Sequence, residues 1–537
     1  MTPLATIGTD VRAGLDLLRR LRPFLRHPVR VPEALAALRR RFERREADFL
    51  ALVGSAVFDA DSPYRRLLRG AGCERGDLER LVQQAGVEGA LQTLLRNGVY
   101  LTTEEFKGRR PVVRGSVRFE VDPRDVRNPR SAGHVATRST GSRGAPTDVH
   151  VDLGFIRDRA VDLALNLQAR RPVGSTAEWR HAFWSVPGGT ALARILEYRA
   201  LGGTVEHWFT HVDPAAAGLP HRYRWSAGLL RAGSLLAGQR LPAPRYVPLD
   251  RPLPIVHELS RITRSGALPH LHTYVSPAVR LARAALDRGL DLEGVRLTVT
   301  GEPLTEARRR LLEQAGAEVW PRYGTTECSL IGYGCRAPAS ADDIHVFHDL
   351  YAVIHAGPAN VAGLPPTALM VTTLRPTAPF VLLNLSLGDQ GVLEPRACEC
   401  PLARTGWRLH LHSIRSFEKL SAGGMTLLDV DVIRVLETVL PARFGGGPTD
   451  YQLVEDEAGD ATPRLRLVIR PDVGPVDADA VAAAFLDAIA QTAPGTAVTS
   501  TAWREARLLT VERREPAATP TGKILHLHVD RAGDLSP

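Results

Sequence analysis

Apolar residues recur every three or four positions along much of the first 110 residues. The clearest runs are PEALAALRRRFERREADFLALV at 32–53 and RGDLERLVQQAGVEGALQTLLRNG at 75–98. This spacing places apolar side chains on one face of a helix and polar side chains on the other. The pattern predicts a mainly helical region over residues 1–110 that packs on the domain after it.

The pattern changes between about residue 110 and residue 415, where short β-rich runs alternate with helical stretches. This alternation is typical of layered α/β architecture. The segment VRLTVTGEPLTEARRRLLEQAGAEVWPRYGTTE, at 295–327, predicts a strand, a turn, an amphipathic helix and a second strand. Ligands of open α/β sheets bind beyond the carboxyl ends of the strands, so the loops at these ends are candidate binding segments.

A smaller α+β unit is predicted from residue 416 onwards. DYQLVEDEAGDATPRLRLVIRP at 450–471 predicts a hairpin, DADAVAAAFLDAIAQTAP at 477–494 a helix, and ARLLTVERRE at 506–515 a further strand. The polar stretch SAGGMT at 421–426 is typical of a flexible junction. These patterns divide the chain into the helical region 1–110, a large α/β domain at 111–415 and a small mobile domain at 416–537.

Composition narrows the classes of partner. Of the 537 residues, 44% are hydrophobic and 24% charged, as in an ordinary globular protein. The formal net charge is +9, but the arginines are spread among Asp and Glu along the chain. This distribution argues against a nucleic acid as a partner. No uninterrupted apolar run approaches the ~20 residues of a membrane helix. Five cysteines are too few for a disulfide scaffold, so we expect a cytoplasmic protein without membrane insertion.

A candidate phosphate-binding loop, RSTGSRGAPT, lies at 138–147. Glycines let a loop turn its backbone N–H groups inward, and hydroxyl groups add donors for phosphate oxygens. The loop lacks the GK[ST] ending of the Walker pattern, and such a loop by itself is often only a loop. Its candidate ligands are Ser139, Thr140, Gly141, Ser142, Arg143 and Gly144.

Three further motifs strengthen the case for a nucleotide. TGEP contains Gly301, Glu302 and Pro303, YGTTE contains Tyr323, Gly324, Thr325, Thr326 and Glu327, and LGDQG contains Asp389. The tyrosine can stack on a purine, and the threonines can donate to phosphate. Glu327 can hold Mg²⁺, which prefers carboxylate oxygens. Asp389 can accept the hydroxyls of a ribose.

In this order the motifs resemble the adenylate-forming superfamily of acyl-CoA synthetases, peptide-synthetase adenylation domains and luciferases. The phrase VTTLRPTAPFVLLNLSLGD at 371–389 is most similar to the phenylacetate-CoA ligase branch. SIRSFEKLSAGGMTL at 413–427 resembles the family's hinge segment, with Arg415 as its arginine and with Ser416 and Phe417 at the hinge. TPTGKIL at 519–525 resembles its catalytic-lysine motif, which assigns that role to Lys523. The implied fold is a large layered α/β domain with a small mobile α+β domain.

The lysine is informative because the chain otherwise uses arginine. Of 68 basic residues, only Lys107, Lys419 and Lys523 are lysines. An ammonium is a compact point charge on a flexible stem, suited to the negative charge that develops on phosphate oxygens in the transition state. Together with this argument for the lysine, the resemblance implies that the catalytic residues are Lys523, Glu327 and Arg415.

The resemblance implies an ATP- and Mg²⁺-dependent ligase that adenylates a carboxylic acid and passes the acyl group to coenzyme A or to carrier-protein phosphopantetheine. An amine or other acceptor is an alternative. Departures at Arg143, at LNLSL before Gly388 and at Phe417 also leave open a nucleotide-binding homologue without turnover. The acid itself is not specified. Relatives in the branch often take aryl or small carboxylates, which favours an aromatic acid, and His272 and Tyr274 are candidate lining residues. The oligomeric state is likewise not specified.

Cys335, His345, Cys398 and Cys400 form a candidate metal set. Three thiolates and one imidazole make a closed, structural zinc site if the fold brings the two segments together. The C-x-C spacing is tighter than the common C-x₂-C. The alternative is four reduced, half-buried side chains.

Overall fold

The computed structural model describes residues 19–131, 133, 135–138, 148–186, 188–213, 241–358, 361–417, 420–422, 425–427, 429–457, 464–491, 504, 509–519 and 521–531. From residue 19 to residue 110 the chain is mainly helical. After a helical segment at residues 19–26 come α1 Val31–Glu43, α2 Arg45–Val53 with a π-helical continuation Gly54–Phe58, α3 Pro63–Gly70, α4 Arg75–Arg96 and α5 Thr103–Phe106.

These helices pack on the large sheet. Their buried apolar side chains belong to the same core cluster as those of the sheet. Arg41 forms an ion pair of 2.6 Å with the buried carboxylate of Asp162. The side-chain amide of Asn384 donates to the carbonyl oxygens of Leu91 at 2.9 Å and Val99 at 3.1 Å. The helical region is thus anchored by both apolar burial and buried polar contacts.

The large sheet has twelve strands. They are β5 Trp179–Trp184, β6 Thr204–Thr210, β7 Pro244–Tyr246, β8 Leu268–Tyr274, β9 Arg296–Thr300, β10 Glu318–Thr325, β11 Ser329–Gly334, β12 Ile344–Val346, β13 Tyr351–His355, β14 Ala368–Thr373, β15 Leu385–Pro395 and β16 Leu409–Ser416. Two separate hairpins precede them: β1 Val112–Arg114 with β2 Val117–Phe119, and β3 Val135–Arg138 with β4 Asp148–Val151.

The strand order is β13-β14-β15-β16-β12-β11-β10-β9-β8-β5-β6-β7. Strands β10, β9, β8, β5, β6 and β7 are parallel neighbours, and the rest of the sheet is antiparallel. The helices of this unit are α6 Leu153–Arg170, α7 Gly189–Arg199, α8 Leu253–Arg264, α9 Val275–Leu286, α10 Glu306–Gln314 and α11 Pro401–Arg404. Helices α8, α9 and α10 bury their apolar faces against one side of the parallel strands.

The C-terminal residues form a separate four-stranded sheet with the order β21-β20-β19-β22. The elements of this C-terminal unit are the separate hairpin β17 Leu420–Ala422 and β18 Met425–Leu427, helix α12 Asp429–Arg434, a π-helical turn Val435–Val439, α13 Leu440–Phe444, β19 Tyr451–Glu457, β20 Arg464–Ile469, α14 Ala478–Ala490, β21 Leu509–Arg513 and β22 Leu527–Arg531. The apolar sides of this sheet and of α14 share one core cluster.

The predicted fold class is confirmed: a large α/β unit precedes a small α+β unit with its own sheet. The strand–helix–strand unit at 295–327 folds as β9, α10 and β10, and the predicted hairpin at 450–471 is β19 with β20. The exact domain boundaries and the mobility of the small domain stay predictions. Within the described ranges, no helix has the length and apolar character required to cross a bilayer.

Candidate active site

Three neighbouring parallel strands end at one edge of the large sheet. β8 ends at Tyr274 and β9 at Thr300, and these two residues are paired in register. β10, the next strand, continues to Thr325. TGEP therefore leaves the sheet beside the YGTTE segment, at the edge where open α/β sheets bind ligands.

Lys523 reaches this edge from the C-terminal unit. Its ammonium lies 5.2 Å from the centre of the Tyr274 ring, a distance at which the negative face of the ring attracts a cation. Gly301 has a φ of +80°, and a Cβ at this position would lie 3.0 Å from Nζ of Lys523. Glycine therefore leaves the space that the lysine side chain occupies.

The motif that carries Lys523 is locally ordered and docked. Thr519 donates its backbone N–H to the carbonyl of Lys523 at 2.8 Å, and the backbone N–H of Ile524 donates to Ser276 Oγ of α9 at 3.1 Å. Gly522 has a φ of +79°, and a Cβ there would lie 3.0 Å from Leu249. Burial lowers the pKa of Lys523, and the carboxylate of Glu302 opposes that shift.

Glu302 is engaged by protein groups. Its carboxylate accepts hydrogen bonds from the backbone N–H of Ser276 at 2.6 Å and from its hydroxyl at 2.8 Å. Ser276 lies in the first turn of α9, where a carboxylate is favourable for the helix dipole. Glu302 thus fixes the TGEP turn, which contains Gly301 and Pro303, against the helix that also receives the lysine motif.

YGTTE and Asp389 are brought together. The hydroxyl of Tyr323 donates to Asp389 Oδ2 at 2.8 Å. Burial and the neighbouring Asp389 raise the pKa of Tyr323, so the phenol stays protonated. The hydroxyl of Thr325 accepts the backbone N–H of Cys328 at 3.1 Å, which closes the turn between β10 and β11.

Glu327 lies in that turn, after Gly324 and Thr326. Its side chain is mostly buried, with 8% of the residue exposed, and it has no hydrogen bond or ion pair to another residue in the described ranges. This donor fits a hard cation such as Mg²⁺.

Arg415 lies close to Asp389 in the sheet, but its side chain forms an ion pair with Asp342. β15 and β16 pair Gln390 with Arg415 and Asp389 with Ser416. The Arg415 guanidinium donates to Asp342 Oδ2 at 2.7 Å. For Arg415 to contact a nucleotide, as the resemblance implies, its side chain must share or leave this ion pair.

The predicted hinge residues, Ser416 and Phe417, come directly after Arg415 in the chain. The Ser416 hydroxyl and the Phe417 backbone N–H both donate to the Gly388 carbonyl, at 3.1 and 3.0 Å. These bonds attach the end of β16 to the turn that carries Asp389. The other predicted loops lie outside the described residues: the phosphate loop residues 139–144 and the two junction glycines at 423 and 424.

A buried charge network, which sequence reasoning missed, joins the C-terminal unit to α10. Arg308 donates to Glu437 Oε1 at 2.7 Å, and His526 Nε2 lies 2.5 Å from the same oxygen. Thr305 also donates to this carboxylate. In sequence these are isolated charged residues on helices and near a strand, so no local spacing marks them as partners.

The network predicts a specific pH dependence. Burial alone would raise the pKa of Glu437, but Arg308, His526 and Thr305 lower it to about 2 from its ordinary 4.5. Because the folded-state pKa is depressed, the stabilisation is complete above about pH 4.5 and is lost as the pH falls toward 2. We expect Glu437→Gln to remove up to about 3 kcal/mol of unfolding free energy near neutral pH.

Unfolding curves measured between pH 7 and 3 test this dependence. The difference between wild type and Glu437→Gln should shrink as the pH falls below 4.5. Glu313→Gln, which removes an exposed carboxylate on α10, the helix that carries Arg308, is the matched control and should show no such trend. A constant difference between wild type and Glu437→Gln across the range would contradict the role of this carboxylate.

Cysteine and histidine ligand atoms meet between β11, β12, β16 and the turn before α11. The Sγ atoms of Cys335 and Cys398 lie 3.8 Å apart, and Cys398 Sγ lies 3.7 Å from His345 Nε2. Ligand atoms of these three residues and of His410 all lie within 4.8 Å of one another. His345 donates Nδ1–H to the Trp407 carbonyl at 2.7 Å, which leaves the Nε2 lone pair for a metal.

His410 replaces Cys400 in this mutually close set. Its Nδ1 lies 2.9 Å from Asp343 and 3.0 Å from Nη2 of Arg396. Its buried Nε2 has no hydrogen-bond partner in the described part of the chain. Sequence reasoning missed His410 because the register that places it opposite His345 pairs two residues 65 positions apart in the chain.

Cys400 lies beside the set. A hydrogen bond from Cys335, helped by His345 and by the backbone N–H groups of Arg336 and Leu402, lowers the pKa of its thiol, although burial opposes the shift, and the same hydrogen bond raises the pKa of Cys335. Thiolate character and N–H donors to sulfur are features of metal-binding cysteines. All four predicted ligands are therefore together, and His410 is a fifth donor.

Comparison with known proteins gives structural likenesses only. No protein-family model and no curated protein matches the chain. One similar solved structure is O-succinylbenzoate coenzyme A synthetase (MenE) from Bacillus subtilis with ATP and magnesium, at 16% identity and a TM-score of 0.41, covering 74% of this chain and 69% of that one.

Two other solved structures are similar to a comparable degree. ATP-bound MatB from Rhodopseudomonas palustris has 13% identity and a TM-score of 0.40, covering 76% of this chain and 68% of that one. The amide bond synthetase McbA from Marinactinospora thermotolerans has 14% identity and a TM-score of 0.33, covering 69% of this chain and 92% of that one. These values describe partial likenesses in fold.

Proposed function

We propose that this protein is an ATP-dependent ligase that converts a carboxylic acid to an acyl-adenylate and transfers the acyl group to a thiol, of coenzyme A or of carrier-protein phosphopantetheine. The observation that carries the proposal is the position of Lys523. A half-buried lysine from the C-terminal unit lies over Gly301 at the carboxyl edge of the parallel strands. The adjacent Tyr323–Asp389 pair supplies an aromatic face and a carboxylate.

In the first step a carboxylate oxygen attacks the α-phosphorus of ATP, the bond to the bridging oxygen breaks, and pyrophosphate leaves. The ammonium of Lys523 stabilises the negative charge that grows on the phosphate oxygens. Asp389 accepts the ribose hydroxyls, and Tyr323 packs on the adenine. Mg²⁺, held through Glu327, would supply further charge neutralisation when bound.

In the second step the thiol attacks the acyl carbonyl, its proton is released, and AMP leaves. No protein nucleophile is required, so positioning and electrostatics carry the rate enhancement. We propose that the small domain moves between the steps and withdraws Lys523. Movement about Ser416 and Phe417 would also break the contacts of Arg308 with Glu437 and His526.

The test is carboxylate-dependent exchange of labelled pyrophosphate into ATP over a broad acid panel. We expect exchange with at least one acid. Release of AMP is then measured with coenzyme A, a phosphopantetheinylated carrier protein and an amine, since an amine acceptor is the alternative. If product forms strongly with the amine and not with either thiol, the acceptor is an amine and the thiol part of this proposal is wrong.

The Arg415–Asp342 ion pair favours a second candidate, a nucleotide-binding homologue without turnover. In that protein the arginine would be held away from the nucleotide. Calorimetric binding of ATP without exchange for any acid would support this candidate and contradict the ligase. A third class, a nucleic-acid binder, is suggested by the net charge of +9. If the protein binds neither DNA nor RNA at moderate salt, that class is excluded.

We also propose a structural zinc centre in the cysteine–histidine cluster. Cys335, His345 and Cys398 supply three ligands, and either His410 or Cys400 supplies the fourth. The proposal is supported by the orphaned Nε2 of His410, a buried donor atom that a metal would satisfy. Four protein ligands leave no open position for catalysis.

A further inference from the structure

The two faces of the parallel strands carry different side chains. The face toward α8, α9 and α10 is apolar, with Ala182, Leu271, Leu297 and Val319 in one buried cluster. The face toward α6 and α7 carries buried polar side chains, among them His181, His270, His272, Thr298 and Arg322. Buried polar groups cost free energy unless they are paired, so their partners reveal what this face does.

The part of this face farther from Lys523 is satisfied internally. His181 Nδ1 lies 3.0 Å from His270 Nδ1, and His270 Nε2 lies 2.7 Å from the Thr298 hydroxyl. That hydroxyl lies 2.7 Å from the hydroxyl of Tyr333. Burial lowers the pKa of His270 to about 3, so the ring is neutral. This chain of hydrogen bonds needs no ligand.

In the part nearer the candidate active site, the positive and negative charges are not balanced. Three buried or nearly buried arginines, Arg159, Arg194 and Arg322, surround one carboxylate, Glu197. Arg159 forms an ion pair with Glu197 at 3.2 Å. Across the ranges that the structure describes, Arg194 and Arg322 have no ion pair with a carboxylate.

The neighbours of the two unpaired arginines are themselves incompletely satisfied. Arg194 contacts Nε2 of His272, and His272 Nδ1 is buried without a hydrogen-bond partner in the described part of the chain. Only 8% of Arg322 is exposed. Burial and the nearby Arg194 lower the pKa of Arg322 to about 10, with Glu197 in partial opposition. It therefore remains a cation at neutral pH.

This positive group lies next to the proposed reaction centre. Arg322 directly precedes Tyr323 on β10, and its carbonyl accepts the Thr300 hydroxyl at 3.3 Å. His272 lies two residues before Tyr274, the ring that Lys523 contacts, and so on the same face of β8. Two strand residues span about 7 Å. Arg194, which contacts His272, thus lies roughly one small acyl group below the edge where the carboxylate would be adenylated, and Arg322 is level with Thr300 at that edge.

We propose that the acid substrate carries a second anionic group, a carboxylate in the simplest case, and that Arg194 and Arg322 bind this group while the first carboxylate is adenylated. The inference rests on the proposed function and specifies its substrate class. A guanidinium binds carboxylate through paired N–H donors, and a buried cation without a counter-ion is costly. A neutral acyl chain would leave that cost in place and desolvate the arginines further.

The experiment compares acids that differ by one carboxylate: succinate with butyrate, adipate with hexanoate, isophthalate with benzoate, and 4-carboxyphenylacetate with phenylacetate. Pyrophosphate exchange is measured for wild type, Arg322→Met and Arg322→Lys. Arg170→Met is the matched control, since Arg170 is a buried arginine of α6 whose guanidinium donates to Asn166 and to the Gly334 carbonyl. Thermal shifts with each acid in the absence of ATP provide a readout that does not need catalysis.

For at least one pair, wild type should prefer the dicarboxylic acid by about 100-fold in kcat/KM. Arg322→Met should bring that ratio near one, Arg322→Lys should retain part of it, and Arg170→Met should leave it unchanged. Because a folding defect would lower both acids together, the ratio isolates recognition. Equal or better use of every monoacid by wild type overturns the inference and leaves the proposed function intact.

Absence of exchange with all acids, in contrast, contradicts the proposed function. The thermal shifts then decide the inference separately. Stabilisation of wild type by a dicarboxylic acid, and not of Arg322→Met, would support the anion site without turnover. Equal shifts for monoacid and dicarboxylic acid, or none, would overturn it.

Discussion

Replacement of Lys523 by alanine should lower the rate of acyl-adenylate formation by about 100-fold or more. Loss of one group that stabilises transition-state charge typically costs 10²–10³ in kcat. Lys523 lies at the carboxyl edge of β8 and β9, in contact with Tyr274 and over Gly301, and the structure describes no other lysine there. Pyrophosphate exchange with the best acid measures the effect.

The second half-reaction separates chemistry from folding. With a supplied acyl-adenylate, Lys523→Ala should form thioester at close to the wild-type rate, because the lysine is needed only in the first step. Lys107→Ala, at one of the chain's two other lysines, is the control and should leave both steps unchanged. Equal losses in both half-reactions would point to a structural role for Lys523 and contradict its catalytic assignment.

Purified protein should contain one equivalent of zinc, and Cys335→Ser should lose the metal together with more than about 3 kcal/mol of unfolding free energy. The cost is large because the binding energy of a structural metal is also folding energy. Cys335, His345 and Cys398 join β11, β12 and the turn before α11, so the metal would link two consecutive strands to a segment 53 residues after His345. Elemental analysis and denaturant unfolding provide the two measurements.

Cys73→Ser is the matched control, since Cys73 is a buried cysteine of the helical region whose sulfur contacts the Glu74 carbonyl. It should retain the zinc. Cobalt substitution identifies the fourth ligand, because thiolate-to-cobalt absorption differs for two and three sulfur ligands, and His410→Ala and Cys400→Ser assign it. If the protein is still free of metal after dialysis against zinc, and its unfolding free energy is unchanged, the proposal is contradicted.

Local patterns predicted much of this fold. The spacing of apolar residues at 32–53 and 75–98 is that of α1, α2 and α4, and the strand–helix–strand unit at 295–327 is β9, α10 and β10. Gly301, Tyr323 and Lys523 were candidates because each stands in a short motif whose residue types suit phosphate chemistry. The structure brings these three to one edge of the sheet, while the phosphate loop residues lie outside the described ranges.

By itself the sequence determined the type of most elements and the identity of the motif residues, because helix and strand periodicities and turn chemistry depend on neighbours within a few positions. Only the tertiary structure decided the rest. The order of twelve strands placed His410 opposite His345 and Arg322 near Arg194. The docking of the small domain placed Glu437 against Arg308. These are long-range pairings, and their energies arise from burial and charge that no local spacing encodes.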